Sequence, residues 1–262
     1  MRKLIIAVLI IVALAVAADF GAAAYGEYTI SQQIRQQFRL ASDPSVRIEG
    51  FPFLTQAVGG HYTAIDIEAT GLPADSLHDL DVQATLHDVD APLSEVSAGD
   101  LHSVRAAQVD GRIVIKDSDL GRAIGIEDLR IQPPSVQELQ ERFPAGTPSN
   151  SARGDRAPIK MVATTDLAGR PSEITGYGVI ELTGGQVRIT ITDVRLSSDG
   201  VGTVSLPREI RQTLLNTLST DVKPGDLPFN ATPTSVWVQT GSVVVEGTAR
   251  DVSLNQADLG AS

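Results

Sequence analysis

The chain has 262 residues, which suffices for one large domain or two small ones. Hydrophobic residues make up 42% of it but aromatic residues only 4%, so we expect a core of valine, isoleucine, leucine and alanine, which favours β-structure. The formal charge of −11 argues against a broad electrostatic surface for nucleic acid or anionic lipid, and the absence of cysteine excludes disulfides, thiolate metal sites and a cysteine nucleophile.

The N-terminus has the pattern of an export segment. Two basic residues precede an uninterrupted apolar run, Leu4 to Ala18, and three alanines at 22–24 offer a cleavage site. As a helix, the run would span about 22 Å, short of the roughly 30 Å hydrocarbon core of a membrane. Extending it to 24 would suffice, but would place Asp19 near the interface. Residues 1–24 are therefore predicted to be either a cleaved signal peptide or an anchor in the cytoplasmic membrane through 4–24. Both place the remaining chain outside the cytoplasm, in the periplasm or cell envelope.

Residues 22–38 are predicted to form an amphipathic helix, because Ile30, Ile34 and Phe38 recur at helical spacing. Such a helix could lie on a membrane or pack on a sheet. We favour packing, since only Arg35 and Arg39 flank the apolar stripe.

An unusually apolar loop is predicted at 50–56, between a short strand at 46–49 and a strand that begins at 61. Loops are normally polar because their backbone must stay hydrated. This one places Phe51 and Phe53 on either side of Pro52 and continues with Leu54. Proline restricts its own backbone and that of the residue before it, so the two rings are held at a defined spacing. The loop must either plug the core or meet something apolar outside it.

Strand patterns dominate the rest of the first half. Alternating apolar and polar residues at 63–69 and 79–87 predict strands with one buried and one solvated face. Further predicted elements are a hairpin of 104–109 and 112–116 turning at Asp110-Gly111, a helix from an N-cap at Ser118 to Ile124, and a strand at 126–131. The segment 75–119 carries ten acidic and three basic residues, a net charge of −7. We interpret it as a solvated strand face rather than a cation site.

The second half repeats these elements after a segment, 144–158, whose composition predicts a flexible loop. The predicted elements are strands at 159–167, 173–182 and 186–195, a helix at 208–218, and a closing hairpin of 236–238 and 243–245. A second proline–phenylalanine loop, Leu227-Pro228-Phe229, precedes that hairpin. We predict that 25–262 form a single α+β domain.

The sequence contains no standard catalytic signature. His87, Asp88 and Asp90 offer nitrogen and oxygen ligands, but neighbouring strand residues point to opposite faces, so we interpret His87 as a surface histidine beside acids. No carboxylate lies in an apolar run where burial would raise its pKa for acid–base chemistry. We therefore predict no enzyme activity, no catalytic residues, no metal site and no cofactor.

An exported domain of long strands, amphipathic helices and two apolar loops suits a container for something apolar. A groove lined by aliphatic side chains would bind an acyl chain at about 0.8 kcal/mol per methylene group. Trp237, the only tryptophan, lies between two valines in a predicted strand, where it could pack or contact a ligand.

Three motifs resemble the LmeA-like family, actinobacterial exported proteins typified by a phosphatidylinositol-binding envelope protein involved in mannan elongation of lipomannan. They are 48–56, 227–229 leading into 236–238, and the stretch 245–254. The resemblance runs from about residue 20 to 254. It implies a fold like that of the tubular lipid-binding proteins, in which a long, strongly curved antiparallel β-sheet wraps around a long helix, and a periplasmic setting.

The leading hypothesis is a periplasmic, membrane-associated protein that binds a phosphatidylinositol-like phospholipid and supports lipoglycan elongation or maintenance without catalysis. Predicted partners are a phospholipid or glycolipid, the membrane surface and envelope glycosyltransferases. The predicted lipid contacts are Phe51, Pro52, Phe53, Leu54, Phe229 and Trp237. Two alternatives stay open: an adaptor that offers the acidic face of 75–119 to a protein partner, and an enzyme with an unrecognised carboxylate pair.

Overall fold

A computed structural model describes residues 1–38, 40–74, 77–92, 104–150, 152–167, 170–183, 186–198, 202–204, 208–222 and 232–253. The helices in these ranges are α1 Arg2–Phe38, α2 Phe53–Gly59, α3 Asp117–Ile124, α4 Val136–Arg142 and α5 Arg208–Leu218. The strands are β1 Ser45–Glu49, β2 His61–Ala74, β3 Leu77–Asp90, β4 Arg105–Lys116, β5 Arg130–Gln132, β6 Arg156–Leu167, β7 Arg170–Thr183, β8 Gln186–Ser198, β9 Gly202–Val204, β10 Thr220–Val222, β11 Thr232–Gln239 and β12 Ser242–Ser253. The predicted α+β class, with long antiparallel strands and a long helix, is confirmed.

The strands form two antiparallel sheets. The first has the order β1-β2-β3-β4-β12-β11, so β1 and β11 are its edges in the part of the chain that is described. The second has the order β10-β8-β7-β6-β5, with β9 paired to β8. Long strands of 12 to 14 residues make up the centre of both sheets. Both patterns of alternation in the first half, and the closing hairpin of β11 and β12, are confirmed.

Two clusters of buried hydrophobic side chains lie on these sheets. The first cluster joins the sheets, since it combines residues of β3, β4, β11 and β12 with residues of β5 to β8, for example Ile113, Val236, Ile159 and Ile180. The second cluster lies on the first sheet alone and includes Val46, Tyr62, Leu86, Val89, Val109 and Val252. Helix α1 and helix α2 cover this second cluster, which places the cluster beside the apolar segment 50–56.

Helix α1 is one continuous helix of 37 residues with two different halves. The large apolar side chains of its first half are exposed. The stretch Arg2–Gln36 is long and apolar enough to cross a membrane, a property that signal sequences share. In its second half Ala22, Ala23, Ile30 and Ile34 pack against the second cluster. The predicted amphipathic helix therefore packs on the sheet, and the predicted boundary after residue 24 falls inside α1.

The predicted hairpin at Asp110-Gly111 is wrong, because β4 runs through it as a single strand. Asp110 pairs with Thr85 on β3 and with Thr248 on β12, and Gly111 pairs with Ala84 and Gly247. Partner strands on both sides supply the backbone hydrogen bonds that keep a central strand extended. This tertiary pairing outweighs the local preference of an Asp-Gly pair for a turn.

Three other boundaries differ from prediction. The strand expected at 126–131 begins only at Arg130, and the helix expected to start after Ser118 already contains Asp117. The loop expected over 144–158 ends earlier, because Gly154 bridges to Val236 and β6 begins at Arg156. Helix α4 was not predicted, although Ser135 and Glu138 have the spacing of a capping box, and the structure contains both reciprocal hydrogen bonds of that motif.

Candidate functional site at the junction of the first two helices

The apolar segment predicted as a loop at 50–56 is largely helical, since α2 begins at Phe53. Gly50 has a φ of 101° and Gly60 a φ of 68°, so both ends of the segment use the left-handed region that favours glycine. The side chain of Gln56 ties the segment to its neighbouring strands: its amide nitrogen donates to the carbonyl of Glu49, and its carbonyl oxygen accepts from the backbone amide of Thr63 at 2.9 Å. The segment is therefore a fixed part of the fold.

Asp19 caps helix α2 from within α1. One of its carboxyl oxygens accepts a hydrogen bond from the backbone amide of Phe53 at 2.9 Å, and the other accepts from Leu54 at 2.8 Å. The first amides of a helix have no partner inside the helix, and Pro52 at the N-cap position offers no side-chain acceptor. Asp19 is only 5% exposed. Sequence reasoning treated it as a charge that shortens the apolar run and missed its structural role, because Asp19 and Phe53 are 34 residues apart in the chain.

The ring of Phe53 is buried in the second cluster, with 8% of the residue exposed. Its centroid lies 6.2 Å from that of Tyr62, whose own burial raises the pKa of its hydroxyl. A Cβ atom added to Gly26 would lie 3.3 Å from the end of the Phe53 ring, so a glycine in α1 allows the ring to approach the helix closely. Phe53 therefore plugs the core.

Phe51 and Leu54 face the opposite way, with 62% and 44% of each residue exposed. The Phe51 ring stacks on Phe20 of α1, with centroids 6.0 Å apart and an interplanar angle of 26°. Val58, one turn beyond Leu54 on α2, is 86% exposed. We call Phe20, Phe51, Leu54 and Val58 the apolar patch. It adjoins the exposed apolar side chains of the first half of α1: Leu4, Ile5, Ile6, Val8, Leu9, Ile10, Ile11, Val12 and Leu14.

Polar contacts hold the second half of α1 against the start of the first sheet. The carboxylate of Glu27 accepts from the backbone amide of Ile48 at 2.9 Å, and the hydroxyl of Ser31 donates to the carbonyl of Pro44 at 2.6 Å. Further along, the guanidinium of Arg35 pairs with Asp43 at 2.8 Å. These bonds fix the direction in which α1 leaves the domain, and with it the orientation of the apolar patch.

Trp237 lies at the other edge of the first sheet, on β11, and is not brought together with Phe51. Val236 and Val238 point into the first cluster, so Trp237 between them points to the outer face. The guanidinium carbons of Arg153 and Arg112 lie 4.3 Å and 5.5 Å from the centroid of its ring. Trp237 is thus half-buried under two cations, in cation–π geometry.

Glu246 joins the two arginines beside Trp237. Its carboxylate lies 2.8 Å from Arg112 and 3.2 Å from Arg153. Burial favours a raised pKa for Glu246, but hydrogen bonds from Arg112 and Ser235 outweigh it, and the net pKa lies below the usual value. The carboxylate balances part of the positive charge around Trp237.

The remaining candidate residues fall elsewhere. The predicted loop with Phe229 lies outside the described residues. The Nε2 atom of His87 lies 3.1 Å from a carboxyl oxygen of Asp110, on the neighbouring strand, rather than beside Asp88. Within the described ranges, no group of three or more histidine and acidic residues is placed to hold a metal ion.

Buried Asp119 has a structural role at the start of β3. Its carboxylate accepts from the backbone amides of His78 and Asp79 and pairs with Arg122 at 2.8 Å. Burial by itself would raise the pKa of Asp119, but these hydrogen bonds lower it overall. Lys116 likewise bridges Asp79 and Asp81 at 2.9 Å and 3.0 Å. Several acids of the segment 75–119 thus have partners within the fold.

Together, the fold and the site define an α+β protein with an exposed apolar patch next to a long apolar helix. A family model described as LmeA-like phospholipid-binding matches residues 17–248. The chain therefore belongs to the LmeA-like phospholipid-binding family, which confirms the resemblance of its motifs. No curated protein and no solved structure matches it.

Proposed function

We propose that the protein binds a phospholipid of the phosphatidylinositol type at the membrane surface of the cell envelope, without catalysis, and supports lipoglycan elongation or maintenance there. Membership of a phospholipid-binding family supports the class of ligand. The observation that carries the proposal is the apolar patch: four large hydrophobic residues held in the open, two of them stacked on each other. An exposed, contiguous apolar surface indicates a contact with a membrane, ligand or partner.

Within the apolar patch we assign lipid contact to Phe51 and Leu54. Pro52 and Phe53 have a positioning role, because Phe53 is anchored in the core and Pro52 links it to Phe51. Lipid contact at Phe229 and Trp237 stays a prediction. The polar side chains closest in sequence to the patch, those of Asp19, Thr55 and Gln56, are hydrogen-bonded to the backbone, which supports a binding role over a catalytic one.

The first experiment asks whether the protein carries and exchanges lipid. Full-length protein isolated from its own envelope in mild detergent is examined by native mass spectrometry, and binding of a fluorescent acyl probe is titrated. We expect a co-purified phospholipid and probe binding that phosphatidylinositol competes for better than phosphatidylcholine. Phe51→Ser should weaken probe binding, whereas Val136→Ser, at a valine of α4 that is 70% exposed, should not. Protein that is free of lipid and does not bind the probe would refute the proposal.

The pathway needs a cellular test. Cells that lack the protein should make shorter lipoglycans, visible as faster migration on a gel. The unaltered chain and the Val136→Ser variant should restore the length, and Phe51→Ser should not. Lipoglycans of normal length in the deleted cells would remove this part of the proposal while leaving lipid binding untouched.

A further inference from the structure

The length of the apolar surface of α1 depends on whether the carboxyl group of Asp19 is exposed on that surface. Leu4 to Ala18 alone is too short to cross a bilayer, whereas 4–24 would span about 31 Å, close to the roughly 30 Å of the hydrocarbon core. Asp19 is the only charged residue between Lys3 and Glu27. Its carboxyl group points toward α2, and both of its oxygens accept hydrogen bonds from backbone amides of α2. The outer surface of α1 is therefore free of exposed charge over the length that a span requires.

The residues that flank this stretch have the character of membrane interfaces. Arg2 and Lys3 precede it, as is typical of the cytoplasmic end of a span. Tyr25 and Tyr28 follow it and are 74% and 63% exposed. Tyrosine is enriched at the boundary between lipid and water, because its ring is apolar and its hydroxyl reaches water.

Helix α2 lies beside α1 at the depth of Asp19 and Phe20, within the last turns of this stretch. Backbone amides that face lipid must be satisfied inside the protein. For the first two amides of α2 that partner is Asp19, and no water is needed. The exposed side of α2, with Leu54 and Val58, continues the apolar surface of α1 through the stacked rings of Phe20 and Phe51.

Cleavage among the alanines at 22–24 would remove part of the folded domain. It would take away Asp19, the partner of two α2 amides, and Phe20, on which Phe51 stacks. It would also strip residues that pack on the second cluster, such as Ala22. A signal peptide that is discarded has no such role in the folded protein.

We propose that α1 is retained as a membrane-spanning anchor over 4–24, and that α2 is thereby seated in the interface of the leaflet facing the domain, with the apolar patch against lipid. This deepens the proposed function, on which it rests for the lipid ligand, by naming where that ligand meets the protein. The bilayer is the occupant because the apolar surface of the span runs into the patch without a break.

The chain has no cysteine, so a single introduced thiol gives a unique label. Full-length Val58→Cys and Val136→Cys proteins, both altered at exposed valines, are labelled with bimane and reconstituted into phosphatidylcholine–phosphatidylinositol vesicles with or without brominated acyl chains. We expect several-fold stronger quenching by bromine at 58 than at 136, and the reverse for aqueous iodide. Equal, weak quenching by bromine at both sites would overturn the proposal. If the label at 58 is instead shielded from iodide to a degree that depends on protein concentration, and bromine does not quench it, the patch contacts a second copy of the chain or another protein.

The intact mass of the protein from its own membranes provides a second measurement. The full 27.7 kDa chain supports retention, and a chain that begins at 22–25 overturns it. The two proposals fail separately. Co-purified phospholipid with an unquenched label at 58 removes the anchor and leaves lipid binding, while a quenched label on protein that neither carries lipid nor binds the acyl probe removes lipid binding and leaves the anchor.

Discussion

Two helices of the same length, α2 and α4, are capped and packed against the domain in different ways. Helices α2 and α4 each have seven residues. Helix α4 is capped by its own preceding residue, Ser135, and none of its residues is buried. Helix α2 has no local cap, buries Phe53 and Ala57, and depends on Asp19 of another helix. A helix in water can leave its first amides to solvent, but one at a lipid boundary cannot.

The side chains follow the same division. Helix α4 is fastened to the second sheet through Glu138, whose carboxylate accepts from the ammonium group of Lys160 at 2.8 Å and from the hydroxyl of Tyr177 at 2.7 Å. Helix α2 is fastened through an aromatic ring and leaves Leu54 and Val58 exposed. Polar contacts from Asp19 and Gln56 hold α2 in the position that leaves these two hydrophobic residues exposed.

The largest expected effect on stability distinguishes Phe53, the first residue of α2, from Phe51, which precedes the helix. Phe53→Ala should lower the free energy of unfolding by about 3–5 kcal/mol, because it opens a cavity between α1 and the first sheet. Phe51→Ala should change it by less than about 0.5 kcal/mol, since that ring is exposed. Chemical unfolding in detergent, followed by circular dichroism, measures both. Equal losses would mean that the two rings do not differ in role.

The next largest effect on the free energy of unfolding concerns α4 and appears at low pH. Burial would raise the pKa of Glu138, but hydrogen bonds from Lys160, Ser135 and Tyr177 lower it from 4.5 to about 2. The depressed pKa means that this stabilisation is complete above about pH 4.5 and is lost as the pH falls through about 2. In Tyr177, burial and the bond to Glu138 raise the pKa to about 12.

We therefore expect Glu138→Gln to flatten the loss of stability between pH 4.5 and about 2, by an amount on the order of 2 kcal/mol. Unfolding by denaturant at a series of pH values measures the slope. The control is Glu141→Gln on the same helix, at a carboxylate whose side chain is 51% exposed. The same slope in the Glu138→Gln variant and the unaltered chain would contradict the assignment.

A smaller effect compares the two caps. Asp19→Ala and Ser135→Ala should each cost about 1 kcal/mol, the usual value of a helix N-cap. Their location should differ: hydrogen exchange should become faster at the amides of Phe53 and Leu54 in the first variant, and at the amide of Glu138 in the second. Faster exchange throughout the domain in the Asp19→Ala variant would show that α1 carries more of the fold than this cap.

The smallest effect on stability tests the exposed side of α2. A Leu54→Ser, Val58→Ser variant should unfold within about 0.5 kcal/mol of the unaltered chain, since neither side chain is buried. Its binding of the acyl probe should nevertheless fall. Val136→Ser on α4 should change neither quantity. If the double variant keeps full binding, the exposed side of α2 does not contact lipid.

Much of the strand structure could be predicted from local pattern, because alternation has a period of two wherever one face of a strand is buried. The local pattern gave a wrong prediction where pairing with neighbouring strands decides the structure. Asp110-Gly111 has the preference of a turn, yet two flanking strands keep it extended. Helix α4 carried a readable signal in the spacing of Ser135 and Glu138, which was missed beside the two prolines that precede it.

The sequence by itself determined the family, the α+β class, the long apolar N-terminal helix and the unusual segment around Pro52. These rest on composition, period and motif, which are properties of neighbouring residues. Only the tertiary structure decided which of the two phenylalanines points inward, and that a single aspartate in the apolar run serves as a cap. Both depend on contacts between residues about 30 positions apart, Gly26 with Phe53 and Asp19 with Leu54. The direction of a side chain is set by what packs against it, and local sequence does not contain that neighbour.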